Sequence, residues 1–342
     1  MTIQVNLDEL LGKKSKHDVL NSVGLLLVPA RVTIDEGYIR LLEQHHIHPY
    51  EIMLLDEEAI RSAPNPRELV KEASRFSKDL FDEVRTTKKL PLDDINNELL
   101  PLVDQVSSHP DVFQLFESVK AKDEYTHQHN IGVGVLSTLI GRWMGLNEED
   151  LSILTMAATL HDIGKVHITD DILLKPGKLT AEEFEEIKRH TTYGYDILKN
   201  TPELHPRVAL VALQHHERAD ARGYPHGLRE DQVDPLSRIV AVADVFHAMS
   251  SKRPYHEPLP FHEVVNEMRK GSFGELDPEV VSVFLTMMIR HLVGSRVKLT
   301  DGRWGEVVYI NPHDDTNPLI RVEETFLDLS QERHIHIQEI VI

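Results

Sequence analysis

From about residue 109 to about 292 the apolar residues of this 342-residue chain recur every three to four positions, and so long a run of that period predicts a helical domain. Segments at about 124–144, 148–160, 181–199, 206–217, 236–250, 260–270 and 278–292 each carry an apolar stripe, which predicts an all-α, bundle-like unit. Thr180 and Glu183 form a capping box ahead of the third segment. One stretch breaks the period: ERADARGYPHGLREDQVDP, residues 217–235, mixes glycine, proline and charge and predicts a surface loop. After Gly294 the period becomes two, in SRVKLTDGRWGEVVYINP, LIRVEETFLDLS and HIHIQEIVI, with Asp301-Gly302 as a hairpin signal. About five strands forming a small β-barrel-like unit are expected there.

Ahead of the helical domain, GLLLVPARVTI is strand-like, and Thr33 with Glu36 forms a second capping-box pattern before YIRLLEQH, so residues 1–64 are expected to form a small α/β unit. Residues 65–108 contain two amphipathic segments, PRELVKEASRFSKDLFDEVR and LDDINNELLPLVDQV, expected as connecting helices. The expected chain is therefore multidomain and mainly α: an N-terminal unit at 1–64, connecting helices at 65–108, a helical domain at 109–292 and a β unit at 293–342.

Composition removes several function classes. A formal charge of -19 opposes general binding to DNA or RNA, where lysine and arginine must neutralise phosphates. With no cysteine there is no disulfide, thiolate nucleophile or cysteine-held metal. No run approaches the roughly 20 apolar residues of a membrane helix, and the start MTIQVNLDELLGKK lacks a secretory pattern, so a cytoplasmic location away from the membrane is expected. The 21 histidines are the chain's means of holding cations for a phosphate ligand.

LHDIGK, residues 160–165, is the most informative string. Alone, His161-Asp162 reads equally as a structural histidine beside a capping aspartate. Its surroundings point elsewhere. Lys165 falls one turn later on the same face, His190 is expected to close the helix EEFEEIKRH, His215-His216 to close PRVALVALQ, and Asp244 interrupts the apolar RIVAVADVF. Consecutive histidines on a helix project about 100° apart, so His215 and His216 are expected to serve two different ions. Carboxylate and imidazole without thiolate suit iron, manganese, nickel or zinc. Paired ions of this kind serve hydrolysis at phosphorus, with Asp162 as the bridging carboxylate and Lys165 stabilising charge or protonating the leaving group.

Five ordered strings resemble the HD-GYP subgroup of the HD phosphohydrolases: YTHQH (125–129), LHDIGK, KPGKLTAEEFEEIKRH (175–190), HHERADARGYPHGL (215–228) and RIVAVADVFHAMSSKRPY (238–255). The resemblance implies a cyclic di-GMP phosphodiesterase of bacterial signalling, yielding linear pGpG and then, if cleavage continues, GMP. It implies two divalent ions, iron or manganese, held by His129, His161, Asp162, His190, His215, His216 and Asp244. It makes Lys165 and Asp162 catalytic, and Gly223, Tyr224, Pro225, Arg253 and Lys165 substrate-binding. Other cyclic dinucleotides such as cyclic GMP-AMP, a non-catalytic receptor or adaptor role, GGDEF-domain partners and a homodimer are compatible with it. The chain departs from the family pattern at Ala221, where glycine is usual, at His247, where aspartate is usual, and at His256, where a cation is usual. These departures are expected to fall around the nucleotide rather than among the metals, with Ala221 costing the loop a positive-φ conformation. Tyr125 stands where a third-metal carboxylate would be, hence two ions; Glu124 is the substitute donor to consider.

Overall fold

The computed structural model describes all residues except 1–6, 17, 22–24, 30–31, 50–51, 53, 55–62, 121–124, 176, 252–257, 273, 312–313, 324, 333 and 342. The chain forms two compact units: Pro64–Leu259 with Glu263–Leu285, and Met1–Ala63 with Pro260–His262 and Thr286–Ile342.

The latter unit begins with a 3₁₀ turn at Leu7–Leu10, an antiparallel pair β1 (Val19–Leu20) and β2 (Leu26–Val28), and helix α1 (Glu36–Gln44). Leu10, Leu27, Val28, Ile34, Ile39 and Leu42 form its buried core. The cap of α1 is Asp35, which accepts from the Tyr38 amide, and not Thr33. Thr33 is drawn into an extended bridge with Lys14, so the helix can begin only beyond it.

In the helical unit, α2 (Pro66–Thr87) opens with proline at its first position, where the missing N–H is not needed, and Asn65 caps the Arg67 amide. Leu92–Asp94, a π-helical turn Ile95–Leu99 and α3 (Leu100–Ser107) follow; Pro101 at the start of α3 cannot donate backward, and the ladder widens just before it. Helix α4 (Val112–Val119) was not expected, because its eight residues give the period little more than two turns; Val112, Phe113, Leu115, Phe116 and Val119 are buried, with Gln114 and Glu117 on the part-exposed face. Next come α5 (Tyr125–Trp143), α6 (Glu148–Leu160), α7 (Ala181–Lys188), α8 (His190–Lys199), α9 (Pro206–Gln214), α10 (Pro235–Ser250), α11 (Phe261–Gly271) and α12 (Pro278–Arg290). The expected single helix at 181–199 is divided at Arg189. The Thr180–Glu183 capping box is formed. Helix α5 packs against α2, α6 and α10, with Ile131, Val133, Val135, Leu136 and Ile140 buried around its circumference.

At the C-terminal end, β3 (Arg296–Leu299), β4 (Trp304–Asn311), β5 (Asp314–Val322), β6 (Thr325–Asp328) and β7 (Ile337–Val341) form one antiparallel sheet ordered β6-β5-β4-β3-β7. Asp301-Gly302 lies in the β3–β4 turn as expected. Val297, Leu299, Val307, Ile320 and Ile337 are buried. Among the described residues β6 and β7 are the two edges and do not pair with each other, so the sheet is open where a barrel would close. No helix of the described residues is long and apolar enough to cross a membrane.

Candidate metal centre

Five helices deliver acid and imidazole groups to one place. His129 comes from α5, His161 from the end of α6, His190 from the start of α8, His215 and His216 from the end of α9, and Asp244 from α10. Asp162 follows His161 with non-helical backbone and leads into a 3₁₀ turn, Ile163–His167, in which Lys165 hydrogen-bonds the Asp162 carboxylate. The expected positions need one adjustment: His190 opens α8 instead of closing α7. The 3₁₀ turn packs so tightly on this junction that Gly164 touches the His190 backbone.

The two carboxylates each face histidines on both oxygens. Asp162 Oδ2 lies 3.4 Å from His161 Nε2 and 3.9 Å from His129 Nε2, while its Oδ1 lies 3.2 Å from His190 Nε2 and 3.9 Å from His215 Nε2. Asp244 Oδ1 is 3.1 Å from His129 Nε2, and its Oδ2 is 3.9 Å from His216 Nδ1. Potential ligand atoms of His129, His161 and Asp162 fall within 4.8 Å of one another, as do those of His190, His215 and His216. His215 and His216, expected to serve separate ions, have rings 4.1 Å apart, His215 turned toward Asp162 and His216 toward Asp244.

Backbone carbonyls set the protonation of three rings. His161 Nδ1 lies 2.7 Å from the Ala158 oxygen, His190 Nδ1 2.6 Å from Ile187 and His215 Nδ1 3.0 Å from Ala212. A carbonyl only accepts, so each Nδ1 carries the proton and each neutral ring presents a bare Nε2 to the centre. Nε2 of His190 and Nε2 of His215 are 3.3 Å apart. Two such lone pairs, beside an Asp162 Oδ1 that is buried without a hydrogen bond, form a site that a cation would satisfy. The donor set fits a divalent metal.

Electrostatics keep the acids ionised and most rings neutral. Burial pushes the Asp162 pKa up, but Lys165, His161 and His190 outweigh it and hold the carboxyl well below its usual range. For Asp244 burial is likewise outweighed by the hydrogen bond and charge of His129 and by His216. Burial lowers His190 to about 4, against the pull of Asp162, and lowers His215 and His216 well below their usual value. Burial also lowers His129, whereas at His161 it is overcome by Asp162 and Asp244 and the ring is raised.

The 217–235 loop closes one side. Gly223 packs against the backbone of 216–218 so closely that a Cβ would sit 2.4 Å from the Arg218 amide, and Tyr224 stacks on His216 with rings 4.6 Å apart. Burial, then the charges of Asp162 and Asp244, raise the Tyr224 phenol. Pro225 follows through a cis bond. Glu217 carried no role in the expectations, yet it is buried and its two oxygens accept from the amides of His226 and Leu228, at 2.8 and 2.9 Å, tying the loop down. Its place directly after the histidine pair was the available signal.

Two of the expected departures are corrected. Ala221 keeps the left-handed conformation, φ 61°, so the loop retains its course without glycine. His247, expected around the nucleotide, is instead fully buried among the metal-centre residues, with its ring 5.0 Å from that of His129. Arg253, His256 and Glu124 lie outside the described residues, as does the side chain of Tyr125.

Residues 113–280 match the HD domain family. The chain is 47% identical over 182 residues to a cyclic di-GMP phosphodiesterase of Thermotoga maritima, covering 52% of this chain and 49% of that protein. It is 40% identical over 168 residues to the 3'3'-cGAMP-specific phosphodiesterase 1 of Vibrio cholerae, 49% of this chain and 39% of that one. These two are matched over about half their length or less. The cyclic di-GMP phosphodiesterase response regulator RpfG of Xanthomonas campestris pv. campestris is 35% identical over 257 residues, 69% of this chain and 68% of the relative. In fold, the chain is similar to Bd1817, an HDG"Y"P protein of Bdellovibrio bacteriovorus, with a TM-score of 0.54 and 15% identity over 83% of this chain and 98% of that one. Sequence likeness to RpfG over two thirds of its length, joined to the five strings in their order on one helical unit, makes this chain a member of the HD-GYP family of HD-domain proteins.

Proposed function

We propose that the chain is a metal-dependent phosphodiesterase that hydrolyses cyclic di-GMP to linear pGpG, with GMP as the product of any further cleavage, in bacterial second-messenger signalling. The observation that carries the reading is the pair of bare imidazole nitrogens, His190 Nε2 and His215 Nε2, 3.3 Å apart beside the unpartnered Asp162 Oδ1. A cation between them would satisfy all three atoms at once. The relatives' activities supply the substrate class.

In this proposal His129, His161, Asp162, His190, His215, His216 and Asp244 hold two divalent ions, iron or manganese. Bound ions supply an acidified water near neutral pH and neutralise phosphate charge. Asp162 and Asp244, each with one oxygen toward either histidine group, fix the spacing of the two groups. Lys165 rests on Asp162 with part of its side chain exposed, placed to hold a phosphoryl oxygen or to give a proton to the departing alkoxide. Gly223 lets the loop approach, Tyr224 covers His216, Pro225 shapes the rim, and Arg253 is assigned to substrate phosphate. The division at 1–64, 65–108, 109–292 and 293–342, a cytoplasmic location, GGDEF-domain partners and a homodimer belong to the same proposal.

Protein loaded anaerobically with manganese or ferrous iron should convert cyclic di-GMP to the linear dinucleotide, and Asp162→Ala should lose both metal and turnover. No turnover of any cyclic dinucleotide by metal-replete protein would overturn the reading. The likeness to a cGAMP-specific enzyme favours one second reading, 3'3'-cGAMP as the substrate. Competition between the two nucleotides separates them.

A further inference from the structure

We infer that His247 is a positioning residue for His129, fixing the tautomer that turns the His129 Nε2 lone pair toward the centre. The inference rests on the reading of His129 as a metal ligand. His247 lies on α10, three residues after Asp244, and is fully buried. Its Nε2 is 2.8 Å from the carbonyl oxygen of Val119, at the end of α4. That oxygen can only accept, so the proton of neutral His247 is on Nε2 and its Nδ1 is an acceptor. This Nδ1 lies 3.0 Å from Nδ1 of His129. One of the two facing nitrogens must carry a proton, and with that of His247 placed on Nε2, His129 is the donor. The His129 Nε2 lone pair is then the one offered to a bound cation, 3.1 Å from Asp244 Oδ1 and 3.9 Å from Asp162 Oδ2, carboxylates that would share that cation. Contacts from Ser251 Oγ to the two His247 nitrogens, 3.5 and 3.4 Å, are longer than either bond in this relay.

Helix α5 is shaped for this ring. A Cβ on Gly132 would lie 2.2 Å from His247 Nε2 and 2.4 Å from its Cδ2, so only glycine, one turn after His129, admits an imidazole here. His247 thus does at His129 what helix carbonyls do at His161, His190 and His215: it receives the Nδ1 proton. A carboxylate in the same place would also accept that proton, without the link to Val119.

The test uses the full chain loaded with diamagnetic Zn²⁺, because without an ion the Asp244 carboxylate draws a proton onto His129 Nε2. Two-bond ¹⁵N–¹H correlation spectra of ¹⁵N-histidine protein should show His129 protonated at Nδ1 and His247 at Nε2. His247→Asp, which still accepts, should keep the His129 tautomer and bind Mn²⁺ within about threefold of the parent. His247→Leu should lose the single tautomer and bind Mn²⁺ about 10- to 100-fold more weakly, with thermal unfolding of the metal-free protein showing that it folds. His129 protonated at Nε2 in the parent overturns the inference. So does His247→Leu with parental tautomer and affinity, or His247→Asp losing both. If His247→Leu does not fold, parent against His247→Asp decides. Should the parent bind neither Mn²⁺ nor Zn²⁺, the metal reading fails; with binding intact, the spectra and the two variants bear on His247 alone.

Discussion

Replacing Gly164 by alanine would put a methyl carbon 1.9 Å from the His190 carbonyl oxygen and 2.4 Å from the Gly194 amide nitrogen. Both obstacles are backbone, so no side chain can swing away. Side-chain carbons essentially never approach other heavy atoms within 3.0 Å, so the 3₁₀ turn and α8 must part by about 1.1 Å. That movement separates Asp162 from His190, the pair whose Oδ1 and Nε2 are now 3.2 Å apart. Functional constellations tolerate about 0.5 Å, so the centre should lose metal as well as stability. Overpacking of this kind costs about 1–3 kcal/mol or more, which in a unit of this size lowers Tm by roughly 2–12 °C. Differential scanning calorimetry of the metal-free variant and metal analysis of the freshly purified protein measure both effects. Gly194→Ala is the comparison at the same interface: its new methyl would lie 3.3 Å from the Gly164 amide nitrogen, a contact that asks for a few tenths of an ångström against 1.1 Å, so its Tm should fall much less than that of Gly164→Ala. Parental Tm and metal content in Gly164→Ala would refute the steric argument.

Ala221→Gly should raise stability by about 1 kcal/mol, because φ 61° strains an alanine and not a glycine; urea denaturation reads it, and an unchanged or lower midpoint counts against the strain. Glu217→Gln turns one of two acceptors toward an amide N–H, so roughly 1–3 kcal/mol should be lost, seen as faster proteolysis within 217–235; equal cleavage rates would remove Glu217 from the loop's support. Lys165→Met should lower turnover about 100-fold or more while metal content stays near parental, and parental turnover would free Lys165 from the chemistry. In the metal-free protein stability should fall as pH drops from 7 to 4.5. His190 titrates at about 4 when folded against 6.5 when unfolded, so the unfolded chain binds protons first and stability is lost through that window, by roughly 3 kcal/mol. His129, His215 and His216 shift the same way, His161 opposes them, and Asp162 and Asp244 lose their contribution only at still lower pH. A Tm that is flat or rises on acidification would contradict this.

How much was legible follows from the range of each interaction. Helices α5, α6, α9, α10 and α12 were visible because their stripes or apolar runs are local, and the Thr180 cap because it closes within four residues. Helix α4 was not, since eight residues give the period little more than two turns to show itself. The cap of α1 moved from Thr33 to Asp35 because a bridge to Lys14, nineteen residues earlier, holds Thr33 extended. Likewise the break at Arg189 sits where another segment, the turn containing Gly164, presses on the chain.

The sequence by itself determined which residues can carry cation chemistry: the histidines and aspartates from 129 to 244 stand in contiguous strings whose types and order are local properties of the chain. Tertiary structure alone decided how they face one another. That Asp162 and Asp244 each look both ways, that His215 and His216 share a group, and that His247 is buried against His129 all depend on contacts between helices far apart in the chain. Side-chain direction there is set by packing, as where Gly132 on α5 leaves room for a ring from α10, and no local pattern encodes it.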